Sequence, residues 1–238
     1  MVDNLSVAIV MPALNEEGVI GPTLAALSGD LVDVVWVADN GSSDGTAAEA
    51  EAHGARVVKE PRRGYGSACQ AALREMARDA PPDVVVFLDA DGSEPIDELP
   101  ALLDPIVRDD ADLVIGVRRF GDTPIHVSIG NRLACAILSR LTGRAFQDLG
   151  PFRAIRFDAL QRLALTDPDY GWNVEMQARA VACGLRIAQV PVSHRPRTAG
   201  RSKISGSLAG TVGAGAVILW TAVREGWRAR RSKPLAPE

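Results

Sequence analysis

The chain has 238 residues, with 26 Lys and Arg against 30 Asp and Glu and a formal net charge of −4. That length fits one large α/β domain or two small ones, and an apolar content of 47% allows a sizeable core and excludes wholesale disorder. The mildly acidic balance gives no general case for nucleic acid as a partner.

Residues 7–11 read as a buried strand ended by Pro12, reached so soon that no signal peptide fits before it. Asn15-Glu16-Glu17 then opens a helix with Ile20, Leu24 and Leu27 on one face. A second strand at 34–38 runs into Asp39-Asn40-Gly41-Ser42-Ser43-Asp44-Gly45-Thr46, a stretch of turn formers ending at a helix start. A short third strand at 55–58 is followed by Gly64-Tyr65-Gly66-Ser67 and an Ala-rich helix to Met76. The run 84–88 is the fourth strand. Strands alternating with helices predict a mostly parallel sheet buried on both faces, with ligands outside the carboxyl ends of its strands. Asn15, Asp39, Gly64 and Asp89 all fall shortly after such ends and so converge.

The second half is less regular. It offers strands at 113–117, 152–155 and 185–190, and helices at 129–141 and 174–182. Residues 205–223 are apolar but dominated by Gly, Ala, Ser and Thr. Cys69, Cys135 and Cys183 are odd in number and widely spaced, and read as reduced core thiols of a cytosolic protein. Arg195, Arg197, Arg201 and Lys203 cluster beside His194, and Arg224, Arg228, Arg230, Arg231 and Lys233 end the chain. Taken alone, either group is a solvated basic face.

Asp89-Ala90-Asp91 closes the fourth strand. Side chains two apart on a strand point the same way, so two carboxylates project together where a buried strand leaves the sheet. Packing does not ask for that pair, whereas a hard divalent cation does. A cation held there would neutralise a diphosphate, the leaving group of a nucleotide-sugar. The plainer alternative is that both residues cap a turn. Gly64-Tyr65-Gly66 is no dinucleotide fingerprint, because Pro12-Ala13-Leu14-Asn15-Glu16 follows the first strand where that fingerprint belongs. An ordinary P-loop is absent too.

Pro12-Ala13-Leu14-Asn15-Glu16, the 39–46 stretch, Gly64-Tyr65-Gly66-Ser67-Ala68 and Asp89-Ala90-Asp91 occur in an order that resembles family 2 glycosyltransferases. Arg118, Arg132, Asp148-Leu149-Gly150-Pro151-Phe152-Arg153, Gly171-Trp172-Asn173-Val174-Glu175-Met176, Pro191-Val192 and Arg197-Thr198-Ala199-Gly200-Arg201-Ser202-Lys203 look like the dolichyl-phosphate mannose synthases and their bacterial polyprenyl-phosphate relatives. The resemblance runs from about Val7 to Lys203 in ordered blocks.

This resemblance implies a GT-A (Rossmann-like) α/β fold and a metal-dependent, inverting transfer of a hexose from a GDP- or UDP-sugar to a polyprenyl or dolichyl phosphate. It implies a catalytic domain over 1–204, with a nucleotide-binding half (1–117) and an acceptor-binding half (118–204), followed by an amphipathic or apolar C-terminal helix and basic tail (205–238). Asp39 matches the acid that contacts the base or ribose. Pro12, Asn15 and Glu16 line the same nucleotide pocket, to which Asp44, Gly64 and Ala90 are added. Asp89 and Asp91 match the motif that holds Mg²⁺ or Mn²⁺ and the donor diphosphate. Arg118, Arg132, Arg197, Ser202 and Lys203 match positions that hold the acceptor phosphate or that diphosphate. Glu175 is either a general base towards a sugar hydroxyl or a carboxylate that pairs with an arginine. Asn40 stands where many relatives carry a second Asp, and residues 120–124 lack the mannose synthases' Gly-rich stretch.

Residues 205–223 are barely long enough to span a bilayer and poorly apolar, while Trp220, Trp227 and the arginines after them resemble an interfacial anchor. Peripheral attachment at the cytoplasmic face of the membrane is the expectation, with packing against the catalytic domain and a membrane span as alternatives. Two rival functions remain: transfer to a soluble hydroxyl with Glu175 as base, and a non-catalytic nucleotide-sugar-binding protein.

Overall fold

The structure is a computed structural model that describes residues 5–27, 29, 31–119, 125–195 and 208–232. Strands β1 (Val7–Ala13), β2 (Val34–Asp39), β3 (Arg56–Lys59), β4 (Val84–Phe87), β5 (Leu113–Arg118), β6 (Arg153–Arg156) and β7 (Ile187–Val192) form one sheet in the order β3-β2-β1-β4-β6-β5-β7. Neighbours are parallel except at β6, which runs antiparallel between β4 and β5. Helices are α1 (Ile20–Ala26), α2 (Thr46–Ala52), α3 (Tyr65–Asp79), α4 (Leu99–Val107), α5 (Ile125–Thr142), α6 (Phe157–Leu163), α7 (Trp172–Ala182) and α8 (Leu208–Ser232).

β1 is apolar throughout because both its faces are covered. Val7, Ile9 and Met11 join one core layer with Leu24 of α1 and Leu102 and Ile106 of α4. Ala8 and Val10 join the other, with Ala68, Ala72 and Met76 of α3 and Trp172 of α7. Pro12 does not end this strand. The carbonyl of Val10 accepts the N–H of Leu88, and Pro12, two residues on, faces the same side beyond the last residue of β4, where no donor is needed.

The helix expected from Asn15 starts only at Ile20. Asn15 (φ 50°) and Gly18 (φ 78°) are left-handed, and the intervening loop is tied to the 42–46 turn instead. Helix α4 carries Leu99, Leu102, Leu103 and Ile106 inward at helical spacing, a pattern obscured in the sequence by Pro100 and the internal Pro105.

The small residues near the C-terminus now have a use. Gly226 sits where a Cβ would meet Leu141 of α5 at 2.8 Å, so α5 and α8 approach closely. Ala214, Ala222 and Ala229 of α8 are buried too, Ala229 beside Ala178 and Ala182 of α7, while Trp220 and Trp227 face outward. Among the described residues, no helix is long and apolar enough to cross a membrane.

Candidate active site

The carboxyl ends of β1, β2 and β4 and the turn before α3 enclose a cavity of about 370 Å³, within the roughly 300–1,000 Å³ of small-molecule sites. Pro12, Ala13, Leu14, Glu16, Asn40, Gly64, Asp89 and Asp91 line it, joined by Arg63, Tyr65, Asp169 and Tyr170. Five of the residues expected around the nucleotide and metal (Pro12, Glu16, Gly64, Asp89 and Asp91) therefore line one cavity.

Asp91 is 6% exposed, and its Oδ1 accepts the Ser93 N–H at 2.9 Å and the Ser93 hydroxyl at 2.5 Å. This turn fixes the carboxylate just past the strand. Among the described residues, no group of three or more His, Cys, Asp or Glu side chains is arranged to hold a metal. A pair of carboxylates alone suits Mg²⁺ or Mn²⁺, which take one or two carboxylates and complete their shell with phosphate and water oxygens.

The other expected nucleotide residues stand beneath or beside the cavity. Asp39 is buried and accepts the N–H of Ser42 at 2.9 Å. Asn15 binds the loop across from it, taking the Ser43 N–H at 2.8 Å. Asp44 takes the N–H and hydroxyl of Thr46 at the start of α2. Ala90 is 2% exposed and packs inward. Asn40 has a job that an Asp could not fill: its amide donates to the carbonyls of Glu60 (3.0 Å) and Arg62 (2.8 Å), while its Oδ1 accepts the Gly64 N–H (2.9 Å).

Asp169 and Tyr170 escaped the sequence reading, although the turn formers Asp167-Pro168-Asp169 just ahead of α7 were a usable signal. Their loop is locked onto the turn before α3. Pro168 O accepts the Ser67 N–H at 2.8 Å, and a Cβ on Gly64 or Gly66 would run into the carbonyls of Pro168 and Asp167. Glycine is required there by close backbone approach. Glu175 holds the same loop from below. It is fully buried, takes the N–H groups of Thr166 (2.9 Å) and Asp167 (2.8 Å) and the Thr166 hydroxyl (2.9 Å), and pairs with Arg179 at 2.6 Å.

Arg118 ends β5 and forks onto Asp148, Nε to Oδ2 at 2.9 Å and Nη2 to Oδ1 at 2.7 Å. Burial alone would lower its pKa; the Asp148 pair outweighs that and holds the guanidinium charged, with Glu94 and Asp89 adding to the effect. Arg132 is exposed on α5, next to Asn131, whose Oδ1 takes the Leu149 N–H at 3.0 Å. Arg197, Ser202 and Lys203 lie outside the described residues, as do 120–124. Arg195 precedes them. Its N–H binds Ser93 O at 2.9 Å and its Nη2 binds Asp97 at 3.0 Å, beside the Asp89-Ala90-Asp91 loop.

The family model described as glycosyl transferase family 2 matches residues 8–163, which hold nearly all of this cavity. The chain belongs to that family. It is 40% identical over 211 residues to an uncharacterized glycosyltransferase of Mycobacterium tuberculosis, covering 87% of this chain and 93% of that one. A dolichyl-phosphate hexose transferase of Haloferax volcanii is 35% identical over 204 residues, covering 83% and 86%. Among solved structures, glucosyl-3-phosphoglycerate synthase from Mycobacterium tuberculosis, in complex with Mn²⁺, UDP-glucose and phosphoglyceric acid, superposes with a TM-score of 0.76 at 27% identity, covering 94% of this chain and 80% of that one. The family 2 chain is thus a glycosyltransferase with a GT-A-like sheet.

Proposed function

We propose that this family 2 enzyme moves a hexose from a GDP- or UDP-sugar onto a polyprenyl phosphate, with inversion at the sugar carbon. The observation that carries the reading is Asp89 and Asp91 lining one cavity with Pro12, Glu16 and Gly64. When bound by Asp89 and Asp91, Mg²⁺ or Mn²⁺ supplies Lewis-acid stabilisation of the departing diphosphate. Pro12, Asn15, Glu16, Asp39, Asp44, Gly64 and Ala90 shape or support the nucleotide seat. Arg118, Arg132, Arg197, Ser202 and Lys203 hold the acceptor phosphate and the diphosphate, so that 1–117 serves the donor and 118–204 the acceptor. A phosphate acceptor is already anionic at neutral pH and needs orientation more than deprotonation. Glu175, with its oxygens occupied by Thr166, Asp167 and Arg179, is then a positioning residue.

The phosphoglyceric acid in the related synthase favours a second reading, in which the acceptor is a soluble phosphorylated hydroxyl compound. The polyprenyl reading is supported by the Haloferax volcanii relative and by the outward Trp220 and Trp227 of α8. It puts residues 205–238 at the cytoplasmic face of a membrane, peripherally attached. The test is a panel of GDP- and UDP-hexoses with Mn²⁺, read first by thermal shift and then by transfer to undecaprenyl or dolichyl phosphate. Alkali-stable glycosides made without lipid phosphate would establish the soluble acceptor instead. Inertness towards every donor and acceptor would favour a non-catalytic nucleotide-sugar-binding protein.

A further inference from the structure

The turn that presents Asp91 is braced from β7, the last strand of the sheet. Ser93 is buried and gives both its N–H (2.9 Å) and its hydroxyl (2.5 Å) to Asp91 Oδ1. Its carbonyl in turn accepts the N–H of Arg195, just past the end of β7, at 2.9 Å. Ser193, in the same stretch, is gripped by the short 3₁₀ turn Ile96–Glu98 that leads from the Asp91 loop into α4. Glu98 Oε2 takes the Ser193 N–H at 2.8 Å, and Oε1 takes its hydroxyl at 2.6 Å. Asp97 and Arg195 join the same two segments, but their side chains are 70% and 60% exposed, and an ion pair that open contributes little. The two charge-assisted bonds of the part-buried Glu98 are the stronger anchor.

These links register Asp91 against the strand that carries Arg118. In the parallel pairing of β5 with β7, Val192 stands opposite Arg118, and its carbonyl accepts the Arg119 N–H at 3.1 Å. A short path of backbone and hydroxyl bonds therefore runs from β5 through residues 192–195 to Ser93 and Asp91. Groups that orient a metal-ligating carboxylate matter nearly as much as the ligand, because they fix its direction before the cation arrives. With two donors of Ser93 on one oxygen, the Asp91 carboxylate is held in a single orientation at the cavity wall.

We propose that Ser93 is a positioning residue for Asp91 and that Glu98 supports it through Ser193 and Arg195, so that the end of β7 sets how tightly the site takes its divalent cation. This rests on the reading of Asp89 and Asp91 as the cation pair, and the experiment separates the two. Calorimetry follows GDP and UDP binding as Mn²⁺ is raised, in the parent, Ser93→Ala, Glu98→Ala and Glu98→Gln. Ser93→Ala should need about tenfold or more Mn²⁺ to reach half its effect on nucleotide binding. Glu98→Ala, one step further out, should need about threefold more than the parent. Glu98→Gln should restore the parent value, since its amide can accept the Ser193 N–H and donate to the Ser193 hydroxyl. Nucleotide binding without Mn²⁺ should be the same in all four. The double variant Ser93→Ala with Glu98→Ala should need no more Mn²⁺ than Ser93→Ala, because Glu98 acts only through Ser93. Should Ser93→Ala fail to fold, the two Glu98 variants carry the test by themselves. A parent-like Mn²⁺ dependence in Ser93→Ala or in Glu98→Ala overturns the proposal, as do effects that add in the double variant. A lowered melting temperature with the Mn²⁺ dependence intact would leave Ser93 a turn former only. If Mn²⁺ strengthens nucleotide binding in no protein, the parent included, the cation reading of Asp89 and Asp91 falls and this inference with it.

Discussion

The carboxylate of Glu175 takes the backbone N–H of Asp167 at 2.8 Å, and the next carbonyl, Pro168, takes the N–H of Ser67 at 2.8 Å on the rim of the cavity at the strand ends. A residue buried inside α7 is thus two hydrogen bonds from the rim of that cavity. Thr221 and Arg224 of α8 reach the same Asp167 side chain at 3.5 and 3.6 Å, so the C-terminal helix bears on that loop as well.

Glu175→Gln should therefore act on binding and stability together. Both N–H donors of Thr166 and Asp167 fall on Oε2, which the amide oxygen can replace, so the N–H₂ group would take the Oε1 position, face the Arg179 guanidinium and the Thr166 hydroxyl, and lose the ion pair with Arg179. Breaking a buried pair of this kind costs about 3–5 kcal/mol. The expected result is a lower melting temperature and weaker nucleotide binding. If instead kcat collapsed while nucleotide affinity and melting temperature held, Glu175 would be the general base and the brace an error.

Asp91→Ala tests the cation pair. The loop keeps its other anchors, including the Arg195 N–H on Ser93 O, so the fold should persist. Transfer should fall by at least about 10²-fold, the scale of losing one electrostatic stabiliser of the leaving group. Mn²⁺ should no longer strengthen nucleotide binding. Full turnover in the folded variant would refute the assignment.

Much of this architecture was legible because the first half obeys simple periodicities. Buried strands read as apolar runs, and turn formers follow each of them. The cavity was legible for the same reason, since ligands gather at strand ends. What stayed hidden depends on contacts between distant segments. Asp169 and Tyr170 reach the cavity only because their loop docks on Gly64 and Gly66, and Asn40 reads as a lost charge until its amide is seen bridging Glu60 and Arg62. The start of α1 was misplaced because Asn15 looks like a cap but adopts a left-handed turn.

Asp148 carries a pH dependence. Burial by itself would raise its carboxyl; the Arg118 fork and the Arg118 backbone N–H outweigh burial and hold it below the usual range. A carboxyl depressed in the folded state stabilises the fold fully above its unfolded pKa, about 3.9, and loses that contribution as pH falls through the folded value. Asp148→Asn strands the Arg118 guanidinium and should cost about 3 kcal/mol at pH 7. In a chain of this size that lowers the melting temperature by about 6–12 °C. Melts recorded from pH 7 down to pH 3 should show the variant's deficit narrowing below pH 4. A constant deficit across that range would mean that the pair does not titrate as argued.

The outward face of α8 tests the membrane reading. Trp220 is 64% and Trp227 47% exposed, and the Arg230 guanidinium lies 5.6 Å over the Trp227 ring. On α5, which packs against α8, Ile129 and Leu133 are also exposed. Aromatic rings flanked by arginines suit the interface of an anionic bilayer, where each nearby Arg adds about 1 kcal/mol at moderate salt. Trp220→Ser with Trp227→Ser should reduce sedimentation with phosphatidylglycerol vesicles roughly tenfold or more, the loss expected from two interfacial anchors. Raising the salt should weaken binding of the parent, because its arginine contribution is screened. Both side chains already face solvent, so the melting temperature and nucleotide binding should not move. If the double variant pelleted with vesicles as fully as the parent, this face of α8 would have no part in membrane attachment.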